Sequence, residues 1–370
     1  MLTIQTVQSP RDRQEFVGLA RALYPPESPW VRPLDSVVLG YLDPQRNPLY
    51  RDGEGRAFVV KRGTRTVGRI VTHVWRRHHR LHAERVGYFG LFECADDSEA
   101  ALRLFDAAAD FAQYHGSEVL RGPFNMTATQ EMGVVTKGFD EVPALDMVYT
   151  PAWYHGLLEK AGLRSCFRMQ TWRNDDITLL EPDTLQEARH RQLITRGVRI
   201  RPINSWSRRA DMEHVRELIN AAFLGNWNFV PITREEWELQ TGPLVPILDP
   251  ALILLAEVQG VPIGVTFAVP DFNHVLRRLR GSLLHPAAVS LLRGASLKAA
   301  VVILFAVRKQ YQGLGISRFL NAELVRALGR RGYRSLAITW IGTDNAASRA
   351  QAHALNMRPI HDLTMYERLL

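Results

Sequence analysis

Between residues 57 and 93 short apolar runs alternate with turns: AFVVKRG, TVGRIVTHVW and ERVGYFGLFE, rich in β-branched and aromatic residues. Runs of this length and punctuation predict an antiparallel meander. At Ser98 the period changes. Ala101, Leu104, Phe105, Ala108 and Phe111 recur at helical spacing to about His115, and Gly116 stops the pattern. That spacing predicts one helix with a single buried face. A strand at 118–124 and a helix at 150–163 follow. The second half repeats the order: strand 198–203, helix 210–223, a helix from Thr233, strands 251–258, 262–269 and 299–307, and helix 316–329. Strand 335–341, helix 345–356 and strand 363–369 complete it.

Strands and helices so mixed predict an α/β fold, strictly an α+β mixed sheet, in two modules that are each a twisted mixed sheet flanked by helices. At 370 residues the chain is long for one core. The boundaries read as 1–173 for the first module, 174–196 for a polar connector, and 197–370 for the second. Residues 272–298, FNHVLRRLRGSLLHPAAVSLLRGASLK, interrupt the second module with a basic, apolar insertion longer than most connections. Leu and Arg at helical spacing there read as cover for a core or as a lid.

Composition changes this picture little. Apolar residues at 46% and charged residues at 23% are ordinary for a folded chain. Cys94 and Cys166 form neither a disulfide framework nor a metal-ligand spacing, so no metal is expected. The first residues lack a signal-peptide core and no apolar run reaches membrane-spanning length, so a cytoplasmic protein without a membrane span is expected. A net charge of +8 and a pI near 9.7 permit an anionic partner. Basic strips interleaved with aromatics are not evident, and nucleic acid is not expected.

The chemistry concentrates at Gln310-Tyr311-Gln312-Gly313-Leu314-Gly315, which follows the apolar strand AAVVILFAV and opens a helix with apolar Ile316, Phe319, Leu320, Leu324 and Leu328. Glycines there let backbone approach phosphate oxygens, and free N–H groups gather at the positive end of the helix. Arg308 and Lys309, just upstream, could add attraction. Asn345-Ala346-Ala347-Ser348 begins a helix after strand 335–341, and Asn is also a good helix cap.

The string Q-x-x-G-x-G resembles the acyl-CoA motif of the GNAT (Gcn5-related N-acetyltransferase) superfamily, and N-x-x-S at Asn345 and Ser348 resembles its last motif. Over nearly its full length the chain also resembles a bacterial family of long GNAT-like proteins, the YghO-like family. The matching strings are DPQRNPLY (43–50), GYFGLFEC (87–94), RGPFN (121–125), KGFDEVP (137–143), TPAWY (150–154) and TWIGTDN (339–345). The resemblance implies a tandem of GNAT-like modules with the cofactor loop kept in the second. Asn345 and Ser348 would then lie near the pantetheine arm. The Tyr that many GNAT enzymes carry seven residues after this Asn is absent: Ala352 stands there, followed by His353.

The first module is expected not to bind CoA, since its strand 118–125 runs on without a glycine-spaced phosphate loop. Its polar residues Arg121, Asn125 and Glu131, with Glu93, form a candidate substrate-binding set, or else a long structural loop pinned by Arg–Glu pairing.

The expected activity is direct N-acyl transfer from acetyl-CoA or a longer acyl-CoA to an amine of a small molecule, without a covalent enzyme intermediate. Ala306, Val307 and the residues from Gln310 to Ile316 would bind the cofactor. Glu257, Glu131 and Glu93 are candidate bases, and His353 and Tyr366 candidate acids. Alternative donors are acyl carrier protein, docking on the basic residues from Arg277 to Arg293, or, less favoured, aminoacyl-tRNA. A non-catalytic acyl-CoA sensor is the alternative outside the enzymes.

Overall fold

In the computed structural model the chain is described at all positions except 126–130, 181–183, 205, 243–244, 246–247 and 282–296. It divides into two compact units. Unit 1 comprises Met1–Gln170, Asn273–Ala295 and Ile360–Leu370, and unit 2 Thr171–Phe272 and Ser296–Pro359.

Unit 1 begins with β1 (Leu2–Thr6), α1 (Pro10–Leu23) and α2 (Asp35–Tyr41). The meander follows as β2 (Gly53–Arg62), β3 (Arg65–Trp75) and β4 (Val86–Cys94), with the short helix α3 (Arg76–His82) before β4. Next come α4 (Ser98–Tyr114), β5 (Val119–Gly122), β6 (Val134–Lys137) and α5 (Tyr154–Lys160). β7 (Arg164–Asn174) straddles the division. Strands lie in the order β1-β2-β3-β4-β5-β13, and β6 also pairs with β13. A capping box starts α1: Ser9 Oγ accepts from Asp12 N–H while Asp12 accepts from Ser9 N–H. As the periodicity predicts, α4 buries Leu104, Phe105, Ala108 and Phe111, here in one cluster with Val60, Ile70, Phe89 and Leu120. Each such side chain contributes about 1.5–3 kcal/mol of burial.

Unit 2 holds α6 (Thr184–Thr195), β8 (Val198–Pro202), α7 (Arg208–Phe223), α8 (Arg234–Thr241), β9 (Ile253–Val258) and β10 (Val261–Pro270). After α9 (Asn273–Leu279), which belongs to unit 1, come β11 (Ala299–Val307), α10 (Ile316–Arg331), β12 (Ser335–Gly342) and α11 (Ala346–Ala354). The last strand is β13 (Arg358–Leu369). The sheet order is β8-β9-β10-β11-β12, antiparallel except for the parallel pair β11 and β12. The apolar face of α10 packs as predicted, with Ile316, Phe319, Leu320, Leu324 and Leu328 in one cluster with Leu254, Ala256, Val302 and Leu336.

Three features of this division differ from the sequence-based boundaries. Residues 174–196 are more than a connector. Leu193 of α6 is buried in the unit 2 core, and the His190 ring stacks on Phe319 at 4.7 Å. The described start of the 272–298 insertion, α9, belongs to unit 1, where Asn273 Nδ2 donates to Pro143 O at 2.7 Å. From Ile360 onward β13 is also part of unit 1, with Tyr366 opposite Gly122 and Leu363 opposite Val135. Apolar alternation shows that a segment is a strand but carries no information about which sheet it joins.

Within unit 1, His73 of β3 is fully buried against Tyr88 and Phe124, at ring distances of 5.3 and 6.2 Å, and among the described residues neither ring nitrogen has a hydrogen-bond partner. Burial pushes its pKa down to about 3, so the imidazole is neutral. An unpartnered buried polar group costs about 1–3 kcal/mol. His73→Leu is therefore expected to raise the melting temperature, by about 2–4 °C per kcal/mol recovered in a domain of this size. A lower melting temperature by calorimetry would show that the ring nitrogens are satisfied in solution.

Candidate active site

The middle of β11 sets the geometry of unit 2. β11 pairs with β10 from Ala300 opposite Pro270 to Val307 opposite Gly264, but the register slips between Phe267 and Ala268 and leaves Ile303 as an extra residue on β11. Such a bulge kinks its strand and disrupts local pairing. On the other side, the parallel ladder with β12 runs only from Ala299–Val302 opposite Ser335–Ile338. Just beyond it, Thr339 Oγ1 donates to Ile303 O at 3.3 Å. From Leu304 to Val307, β11 therefore keeps β10 as its ladder partner and turns its other edge away from a neighbouring strand. A free strand edge can take a ligand with alternating donors and acceptors.

The strand leads into a short 3-10 turn, Lys309–Tyr311, then into Gly313 at φ 77° and Gly315 at φ 89°. Both lie in the left-handed region where a Cβ is strained. Gly315 is the N-cap of α10, with no side chain to satisfy the first N–H groups. A Cβ at Gly313 would meet nothing within 4 Å, and Leu314 beside it is exposed. Open glycine backbone at an uncapped helix N-terminus suits an anion such as a pyrophosphate. The neighbouring side chains hold the loop's shape. Gln312 Nε2 donates to Val307 O at 3.0 Å, Arg308 Nε to Pro262 O at 2.9 Å and Lys309 Nζ to Leu224 O at 2.8 Å.

Unit 1 has the same frame with each of these openings closed. β4 bulges at Leu91 and Phe92 in its ladder with β3, and its parallel ladder with β5 covers only Val86–Tyr88. Here the chain fills the gap itself. Phe124 N–H donates to Phe89 O at 2.7 Å, and Asn125 Oδ1 accepts from Leu91 N–H at 2.7 Å. The connection equivalent to the glycine loop is Ala95-Asp96-Asp97, and Asp97 caps α4 by accepting from Ala100 N–H. A carboxylate at that helix end repels phosphate. The contrast with the glycine loop therefore lies after β4 and not after strand 118–125, because only the sheet pairing shows which connection corresponds to the loop.

Asn345 is the N-cap of α11, its side chain accepting from Ser348 N–H at 3.0 Å, so capping is its structural role. Ala352 is fully buried in the unit 2 core. A tyrosine hydroxyl is thus absent, and methyl packing takes its place. His353 is exposed, its ring edge-on to Trp172 at 5.0 Å. Glu257 accepts from Arg201 Nε at 3.0 Å, and Arg201 Nη2 lies at 2.8 Å. The Glu257 carboxylate is thus held in an ion pair within unit 2. Tyr366 belongs to the apolar core of unit 1, where burial raises its pKa.

The polar residues singled out in unit 1 are held by partners within the unit. Arg121 bridges Glu84 at 3.0 Å and Glu367 at 2.8 Å. Glu93 accepts from Tyr24 at 3.0 Å and Tyr154 at 2.5 Å, with Arg69 at 3.5 Å. Burial raises its pKa, and Arg69 and the two hydroxyls oppose the rise. Glu131 accepts from Asn125 Nδ2 at 3.0 Å and is likewise raised by burial. Asp146, unnoticed in the sequence, is raised well above its usual range by burial and then by the Glu131 charge.

An acid whose folded pKa is raised adds stability below its unfolded pKa, and that contribution is lost as pH rises through the folded value. Asp146→Asn removes the ionisation and tolerates the φ of 66° that Asp146 adopts. Its melting temperature is expected to exceed wild type at pH 7.5, with the gain vanishing as pH falls toward 3.8. A pH-independent difference would refute the assignment.

The profile of the acetyltransferase (GNAT) family matches residues 212–355, which contain β9 to β12, the glycine loop and α11. Protein YghO of Escherichia coli (strain K12) is 26% identical over 372 residues, 99% of this chain and 95% of its own. The bacterial ceramide synthase of Caulobacter vibrioides is 27% identical over 380 residues, 100% of this chain and 98% of its own. Among solved structures, a tandem GNAT protein from the clavulanic acid biosynthesis pathway aligns with a TM-score of 0.58 at 12% identity, covering 100% of this chain and 98% of that one. The uncapped glycine loop and the bulged strand that leads into it both lie in the stretch that matches the acetyltransferase (GNAT) family, residues 212–355, and the fold of the chain is similar to that of a tandem GNAT protein.

Proposed function

We propose that unit 2 binds an acyl-CoA with its pyrophosphate at Gln310 to Gly315 and transfers the acyl group directly to an amine. The observation that carries this reading is the uncapped, open glycine loop directly after a strand edge that has lost its neighbour. Backbone N–H groups of Gly313 to Ile316 hold the phosphates. The edge of β11 at Ala306 and Val307 aligns the pantetheine by strand-like hydrogen bonds, and an N–H near the Ile303 bulge faces the thioester oxygen, where negative charge develops.

β11 carries no titratable side chain, so proton transfer from the amine runs through water. A thiol with a pKa of about 8.5 leaves as thiolate near neutral pH, which makes the missing tyrosine tolerable. The relative named a ceramide synthase supports an acceptor amine on a long-chain amino alcohol, since ceramide is the fatty amide of such a base. An acyl carrier protein as donor has less support: Arg277 Nη2 donates to Ser28 O at 3.1 Å within unit 1, and Arg293 lies outside the described residues.

Calorimetric titration with CoA, acetyl-CoA and long-chain acyl-CoA tests the reading. Gly313→Trp is expected to weaken CoA binding at least about 100-fold, since the indole fills the phosphate space, while costing the fold about 1–2 kcal/mol for a side chain at positive φ. Gly313→Asn, which tolerates that backbone, is expected to lose less. Unchanged affinity in the Trp variant would overturn the site, and binding without turnover across a panel of amines would favour a sensor.

A further inference from the structure

Three contacts gather separate elements around the glycine loop at one end of unit 2. A Cβ at Gly315 would lie 4.0 Å from Leu193 Cδ1, which brings in the last turn of α6. Lys309 Nζ donates to Leu224 O at 2.8 Å, which brings in the end of α7. Arg308 donates to Ile263 O through its N–H and to Pro262 O through Nε, each at 2.9 Å, which brings in the start of β10 beside the β9–β10 turn. Each of these elements ends in a large apolar side chain facing water. Ile194, Val261 and Leu314 are more than half exposed, and Leu224 and Trp227 are 47% and 38% exposed. Single exposed apolar residues are ordinary on a protein surface, but a ring of them around a candidate cofactor loop is not.

The charge at the same end has one sign. Across residues 191–200, 221–231, 257–264 and 307–318 the only carboxylate is Glu257, and Arg201 holds it. Arg196, Arg199, Lys309 and Arg318 are exposed there and form no ion pair among the described residues. Apolar tips from separate turns and helix ends, interspersed with exposed cations, match an anionic bilayer: the tips enter the headgroup layer, and each cation near the surface adds about 1 kcal/mol of attraction. A protein partner would need a continuous complementary face, whereas a lipid surface accommodates separate side chains. We propose that this end of unit 2 docks on an anionic membrane surface and meets its acceptor amine there as a lipid. Docking stands on the exposed residues alone, and only the identity of the acceptor rests on the acyl-CoA reading. Among the described residues no helix is long and apolar enough to cross a membrane, so the attachment is peripheral.

The test is co-sedimentation of the full chain, without CoA, with vesicles of phosphatidylcholine alone or with one quarter phosphatidylglycerol. Binding to the anionic vesicles is expected to exceed binding to the neutral ones about ten-fold or more, and to fall as salt screens the cations. Ile194→Glu combined with Val261→Glu is expected to reduce binding by about ten-fold while melting and CoA titration stay at wild-type values. Should that pair disturb folding, Arg196→Ser with Arg199→Ser is expected to remove most of the salt-sensitive part. Equal sedimentation with both vesicles, or wild-type binding by the folded variants, would overturn the docking surface. Vesicle binding with no CoA titration would instead overturn the acyl-CoA reading and leave the surface standing.

Discussion

The extra residue at Ile303 is the constraint on which the rest of unit 2 depends. A β-strand in the middle of a sheet normally spends its backbone donors and acceptors on two neighbours. By bulging there and leaving β12 after Val302, β11 stays anchored to β10, while from Leu304 to Val307 its other edge has no ladder partner among the described residues and Val307 O accepts from Gln312 Nε2. The chain then enters a turn at Gly313 and Gly315, both at positive φ, and a helix start without a capping side chain. The break in the ladder and the glycine loop thus follow one another along a single stretch of chain.

Unit 1 shows what happens when an equal break is filled from within. Its β4 bulge donates the Leu91 N–H to the Asn125 side chain, its gap is taken by Phe124, and its helix start is capped by Asp97. The strand gap and the helix start that stand open in unit 2 are filled in unit 1 by Asn125, Phe124 and Asp97. Residues that read in the sequence as candidate bases, Glu93 and Glu131, or as a substrate ligand, Arg121, make hydrogen bonds and ion pairs within this filled unit. For the two carboxyls these partners offset only part of the cost of burial, since their pKa values stay raised.

How much was legible before the fold follows the range of each interaction. Helix faces such as Leu104 to Phe111 and Ile316 to Leu328 repeat every three or four residues, so the pattern and its buried side could be read directly. The glycine loop was equally visible, because the backbone conformations of Gly313 and Gly315 and the helix after them are set within a few residues. Asn345 as a cap belongs to the same local class.

What only the tertiary structure decided involves residues far apart in the chain. No periodicity could show that the last strand, from Ile360, pairs in unit 1, that α6 closes the unit 2 core with Leu193, or that β11 loses β12 at the bulge. Nor could it show that the Glu257 carboxylate accepts from Arg201, 56 positions away in sequence. Side-chain chemistry is written residue by residue, but its charge state and availability are set by neighbours that the sheet brings together. The sequence by itself therefore determined the glycine loop and the helix after it, while the tertiary structure decided which strand edge loses its ladder partner and which charges are paired.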